Sequence, residues 1–132
     1  MKPAVPAMVR FVKQSGHHSD CGVATLAMLA GVLYEDALAT IACEQPGVLT
    51  LGLTWHELRR AAKALGLKTR ITKKYDPDED TGILNVGNRK VEHFVFLWEG
   101  RVVEGNGELW LDVDAYLKHN EFRARALLKA VE

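Results

Sequence analysis

Two cysteines and five histidines are the residues of this chain best suited to supply a nucleophile or a base near neutral pH. Cys21 stands out by its surroundings. Ser19-Asp20 precedes Cys-Gly-Val-Ala-Thr-Leu-Ala-Met-Leu-Ala. Either polar residue suits an N-cap, so the thiol falls in the first turn of a predicted helix. There it faces unpaired backbone N–H groups and the positive end of the helix dipole, both of which favour thiolate. The same N–H groups can donate to an oxyanion forming beside the sulfur, and Gly22 leaves room for a substrate backbone. The structural alternative is a small buried residue beside a cap, since free cysteine is among the most buried types. Cys43 sits inside a second predicted helix with Ile41 and Ala42 and is assigned to packing.

A thiol nucleophile normally works with a base in hydrogen-bond reach, itself oriented by a third group. His56, in the first turn of a capped helix, and His119, near a helix end, read as solvated. His93 opens the stretch His-Phe-Val-Phe-Leu-Trp, and an imidazole on a core strand needs a reason. If Glu99-Gly100 is a two-residue hairpin turn, Trp98 faces Arg101 and Leu97 faces Val102. Carried back, the pairing sets Val95 against Glu104 and His93 against Asn106. Opposed residues share a face with Cβ atoms about 4.5–5.5 Å apart, which brings the Asn106 amide to the imidazole. Glu104, the diagonal neighbour, is the second candidate, and a bulge at Gly105 or Gly107 would alter the count. A structural His–Asn pair near a sheet edge is the alternative. Gln14, a few residues before the thiol, could donate a second oxyanion hydrogen bond beside the Cys21 N–H; taken singly it reads as a surface residue. His17, His18 and Cys21 could approach one metal ion, but a fourth ligand is missing and the cap better explains Asp20-Cys21.

These residues must be held by elements whose signals run along the chain. Residues 1–18 form an extended lead-in with a short apolar patch from Met8 to Val12. The Cys21 segment is apolar nearly all round, which predicts a buried helix ending at Gly31. A second helix is expected over Tyr34 to Cys43. Thr54-Trp-His-Glu57 is a capping box, followed by Leu58, Ala61, Ala62 and Leu65 at helical spacing and then Gly66. Lys68 to Thr72 alternates as a strand, and Lys73 to Asp80 is a polar turn-rich loop. Gly82 to Val86 and Val91 to Trp98 are strands, and Arg101 to Glu104 returns after the turn. Asp112 to His119 suits a short helix, and the segment after it fits more than one state. Helices first and an antiparallel sheet afterwards mean α+β.

Composition narrows the partners. A chain of 132 residues fits one domain, residues 1–132, able to bury a core without disulfides or a structural metal. The 17 basic and 17 acidic residues cancel without forming blocks. That argues against binding built on nucleic-acid or membrane-surface charge. No apolar run suits a membrane span and no secretory signal opens the chain. Two cysteines are too few for a disulfide framework, so a reducing cytoplasm is expected.

Gln14, Asp20-Cys21-Gly22-Val23-Ala24 and Leu26-Ala27-Met28-Leu29 resemble the nucleophile motif of the bacteriocin-processing, double-glycine leader peptidases. Gly52-Leu53-Thr54 with Leu58, Ala61, Ala62 and Leu65-Gly66-Leu67 is similar to that family's next helix, and His93-Phe94-Val95 with Leu97 to its histidine strand. The likeness runs from about Gln14 to Asn106. It departs where the family usually has Asp-Pro, since this chain reads Glu104-Gly105-Asn106-Gly107, and the interval from Gln14 to Cys21 is one residue longer. The resemblance implies a papain-like fold and peptide-bond hydrolysis through an acyl-enzyme. Cys21 would be the nucleophile, His93 the base, Gln14 the oxyanion donor and Asn106 the orienting residue. It implies cleavage after small residues such as Gly-Gly and a peptide or protein substrate, with no metal or organic cofactor. The chain is expected to act as a stand-alone domain without the family's ABC transporter. An isopeptidase or acyl-transferase using the same site, and an inactive peptide-binding relative, stay open.

Overall fold

The computed structural model describes residues 21–45, 54–105 and 108–131. Its elements run α1 (Cys21–Ala30), α2 (Tyr34–Glu44), α3 (Trp55–Ala64), β1 (Lys68–Thr72), β2 (Thr81–Gly87), β3 (Glu92–Trp98), β4 (Arg101–Val103), β5 (Leu109–Trp110), α4 (Val113–Asn120) and β6 (Arg123–Val131). The α+β order expected from the sequence is present, and the six strands form one antiparallel sheet in the order β1-β6-β2-β3-β4-β5.

Local chemistry accounts for the boundaries. α1 stops at Gly31, whose φ of +69° is the left-handed conformation that closes helices. Thr54 caps α3 through the expected reciprocal box: its hydroxyl accepts from Glu57 N at 3.2 Å, and its own N–H donates to Glu57 Oε1 at 2.9 Å. Asp112 caps α4 by accepting from Asp114 N. The turn Glu99-Gly100 has positive φ at both residues, 45° and 86°. That twist suits a two-residue hairpin, and β3 pairs β4 in the expected register: Trp98 with Arg101, Leu97 with Val102, Phe96 with Val103.

Two apolar layers sandwich the sheet. On one face, Ile83, Phe94, Phe96, Trp98, Val103 and Leu128 pack against α1, α2 and α3. α1 is buried from Cys21 to Met28, as its all-round apolar composition requires. On the other face, Leu84, Val86, Val95, Leu97, Val102 and Leu127 pack against Val113 and Tyr116 of α4. Cys43 departs from its assignment to packing, because it is exposed. The buried face of α2 carries Ala37 and Ile41, and a residue two places after Ile41 points about 200° away at 3.6 residues per turn.

The ambiguous segment after α4 is the longest strand. β6 enters the sheet between β1 and β2, with a bulge against β2 at Asn85/Val86. Arg125 falls in that bulge, where Val86 pairs Ala124 and Asn85 pairs Ala126. Its guanidinium donates to Glu92 Oε1 at 2.8 Å and to Asn88 O at 3.0 Å. The bulge thereby braces the β2–β3 connection just before His93.

Candidate active site

Cys21 opens α1 and is 7% exposed, a thiol nearly enclosed by the helical layer. Thr25 settles the buried polar atoms around it, its hydroxyl donating to the carbonyls of Cys21 at 3.0 Å and Gly22 at 3.1 Å. His93 is the second residue of β3 and pairs across to Val86 of β2. By strand alternation its ring shares a face with Val95 and Leu97, opposite the helical layer that holds Cys21. The two meet because β4 is short. It pairs with only Phe96 to Trp98, so among the described residues Glu92 to Val95 has no strand beside it there. Around that open stretch the Cys21 thiol comes close enough to the His93 side chain to raise its pKa.

Three contacts hold the imidazole. Glu104 places both carboxylate oxygens 3.1 Å from Nε2, which leaves Nδ1 for the thiol. Phe122 lies against the ring, with centroids 6.4 Å apart. The buried Asn85 amide donates to the His93 carbonyl at 3.4 Å, fixing the strand beneath the ring. Glu104 is itself held, since the Tyr116 hydroxyl donates to Oε1. Tyr116 is buried in α4 between Trp110 and Phe122. The result is a line from phenol to carboxylate to imidazole to thiol.

The charges in this line support one another. Burial alone would lower the ionisation of His93, but hydrogen bonds to Cys21 and Glu104 and the negative charge of both push it up from 6.5 to about 10. Burial alone would raise the Glu104 carboxyl; the His93 hydrogen bond and charge, with the Tyr116 hydroxyl, hold it below its ordinary value instead. Tyr116 is raised, first by burial and then by Glu104, so it stays a neutral donor. An imidazolium near neutral pH is the counter-ion a thiolate needs, and it is also an acid placed to protonate a leaving group.

The structure therefore brings Cys21 and His93 together. Gln14 and Asn106 lie outside the described residues, as do Ser19, Asp20, His17 and His18. On Nε2 the structure shows Glu104, the second candidate of the hairpin count. The ladder ends at Val103, one residue short of the expected strand, because the Glu104 N–H donates to Glu108 O at 2.9 Å and the chain turns into β5. Tyr116 and Asn85 were missed. Each carried a signal: a tyrosine on the apolar face of a short helix needs an acceptor, and an asparagine inside an apolar strand needs a partner. Among the described residues no group of three His, Cys, Asp or Glu side chains could hold a metal ion, and no single helix is long and apolar enough to cross a membrane.

A helical layer that supplies a thiol, packed on an antiparallel sheet that supplies an imidazole, is the architecture of papain-like cysteine peptidases. The chain belongs to the peptidase C39 family, whose model matches residues 9–102. No curated protein matches it. Cys21 and His93 fall inside the matched span, whereas Glu104, Tyr116 and β6 lie beyond it.

Proposed function

We propose that this protein is a cysteine endopeptidase in which Cys21 is the nucleophile, His93 the acid–base and Glu104 the group that orients the ring. The supporting observation is the imidazole itself, bound to the Cys21 thiol on one side and to a carboxylate on the other. Glu104 takes the orienting role in this reading, ahead of Asn106, because its oxygens reach Nε2. The Cys21 sulfur attacks a backbone carbonyl, forming the C–S bond and an oxyanion. The Cys21 N–H and, by the family resemblance, Gln14 hold that oxyanion. Collapse breaks the C–N bond as the His93 imidazolium protonates the departing amine. His93 then takes a proton from water, which attacks the thioester; the acyl group leaves as a carboxylic acid and the thiol is restored. Cleavage after small residues such as Gly-Gly is part of the proposal on the strength of the family, and work in a reducing cytoplasm on the strength of a cysteine count too low for a disulfide framework.

Cys43 provides an internal reference for the test. It is exposed while Cys21 is buried, so accessibility alone favours labelling of Cys43. Native protein is treated with low iodoacetamide near neutral pH and read by mass spectrometry. Selective labelling of Cys21, slowed in His93→Ala, is the expected result. Preferential labelling of Cys43, with Cys21 sluggish in both proteins, would sink the catalytic reading.

A further inference from the structure

Tyr116 belongs to α4, on the face of the sheet opposite the layer that carries Cys21. It is 1% exposed and packed between Trp110, at 5.6 Å between centroids, and Phe122, at 6.2 Å. Phe122 also lies 6.4 Å from the His93 ring. The end of α4 fixes its place: Glu121 takes the left-handed conformation with φ +57°, and the Phe122 N–H donates to Leu117 O at 2.9 Å. The contacts therefore close a circuit, from His93 to Phe122 to Tyr116 to Glu104 and back to His93. Glu104 is its loosest member. It follows the last residue of β4, precedes Gly105 and has three rotatable side-chain bonds. Its N–H donates to Glu108 O, which ties the backbone but leaves a partly exposed carboxylate able to swing toward solvent. Such a side chain loses much rotamer freedom when it is fixed. The Tyr116 ring is already immobilised by packing, so its hydroxyl can hold Oε1 at little further entropic cost.

We propose that Tyr116 is a positioning residue for the Cys21–His93 site: its hydroxyl holds Glu104 where both carboxylate oxygens reach Nε2, and so keeps the imidazole turned toward the thiol. The role goes beyond the function proposed above and presupposes its site. A purely structural hydroxyl, with Glu104 serving only as the acceptor a buried phenol needs, would affect stability and leave His93 as it was. The ionisable groups that bear on His93 are Cys21 of α1 and Glu104. Those that bear on the phenol are Glu104, Cys21 and Glu108, and with burial, the largest cause, they keep it a protonated donor. His119, also on α4, lies against Trp110.

The test uses the full chain and follows the His93 ring by NMR titration in the unaltered protein, Tyr116→Phe, Glu104→Ala, their double variant and Thr54→Ala. Thr54→Ala weakens the cap of α3 and reports what a loss of stability does by itself. Without the hydroxyl Glu104 draws away from the ring, so Tyr116→Phe should lower the His93 midpoint by about half a pH unit, roughly three-fold in the ratio of the two ring forms. On the Glu104→Ala background the same substitution should move it by less than about 0.2 unit, because the carboxylate that couples the two residues is gone. Thr54→Ala should leave it in place. A rise in Tyr116→Phe would mean that the hydroxyl only draws charge off the carboxylate, and an unchanged midpoint that it only satisfies a buried donor. Either would overturn the proposal, as would an equal fall in Thr54→Ala or on the Glu104→Ala background. One measurement needs no variant: the Tyr116 Cζ resonance of ¹³C-labelled unaltered protein should shift with the His93 midpoint, and a resonance indifferent to that titration would overturn the proposal too. The titrations do not depend on Cys21 labelling, so failure of the positioning role is seen apart from failure of the catalytic reading.

Discussion

Replacing Glu104 by glutamine keeps the shape of the side chain and removes its charge, and the structure says what His93 should then do. The ring is held at about 10 against an ordinary 6.5, which corresponds to about 5 kcal/mol in favour of the imidazolium. Burial opposes that preference, so the favourable interactions with Cys21 and Glu104 together exceed it. Each partner contributes a hydrogen bond and a charge. A share for Glu104 somewhat under half, discounted for the 18% exposure of both side chains, predicts a fall of about one to two pH units in E104Q. NMR titration of the imidazole nitrogens in ¹⁵N-labelled protein measures this directly. C21A should also lower the midpoint. In C21A/E104Q both charged partners are gone and a glutamine carbonyl is the remaining acceptor, so burial should bring the midpoint below that of either single variant. A double variant titrating no lower than the single variants, or an unchanged midpoint in E104Q, would refute the reasoning. Stability follows by linkage. The raised His93 stabilises the fold fully below pH 6.5 and loses that contribution as pH rises toward about 10. The lowered Glu104 contributes above its ordinary 4.5 and loses its contribution as pH falls. E104Q should therefore flatten the dependence of melting temperature on pH at both ends.

Other expectations follow from single contacts. Tyr116→Phe keeps the ring between Trp110 and Phe122 but removes the hydroxyl from Glu104; urea unfolding should show a loss of about 1–2 kcal/mol. Thr54→Ala removes half of the reciprocal cap on α3 and should cost about 1 kcal/mol by the same measurement. Gly82→Ala would set a Cβ 2.3 Å from the Leu128 carbonyl oxygen, a backbone atom of the neighbouring strand. The β2–β6 pairing would have to shift, and a destabilisation of about 2–3 kcal/mol is expected by thermal denaturation.

What could be read from the sequence was what short-range chemistry determines. The capping box at Thr54, the stop at Gly31 and the turn at Glu99-Gly100 depend on neighbours a few residues away, and each is present. The hairpin register followed from the turn and held to Val103. Beyond Val103 the ladder stops, because strand pairing continues only while both chains stay extended and Glu104 leaves for β5; Asn106 lies outside the described residues. Cys43 shows the limit of reading burial from neighbours in sequence, since Ile41 and Cys43 lie on different sides of one helix. β6 was ambiguous because Arg123-Ala-Arg-Ala-Leu-Leu-Lys-Ala lacks β-branched residues and suits a helix by propensity. Two neighbouring strands override that preference. Tyr116 could be reached only through the tertiary meeting of α4 with the end of β4.

The place of β6 has a consequence for the order in which this molecule can be made. β1 has β6 as its only described strand partner, and β6 follows every other strand in the chain. During synthesis, therefore, β1 emerges early and waits, its edge unmatched, until β6 arrives. Contacts so distant in sequence make folding slow, because loop closure must precede any gain from pairing. Phe122, which lies against His93, and Arg125, which braces the connection before it, also belong to that late segment. A nascent chain would thus carry Cys21 without the fully supported His93 imidazole until β6 has emerged. The supported His93 is complete only once β6 has taken its place in the sheet.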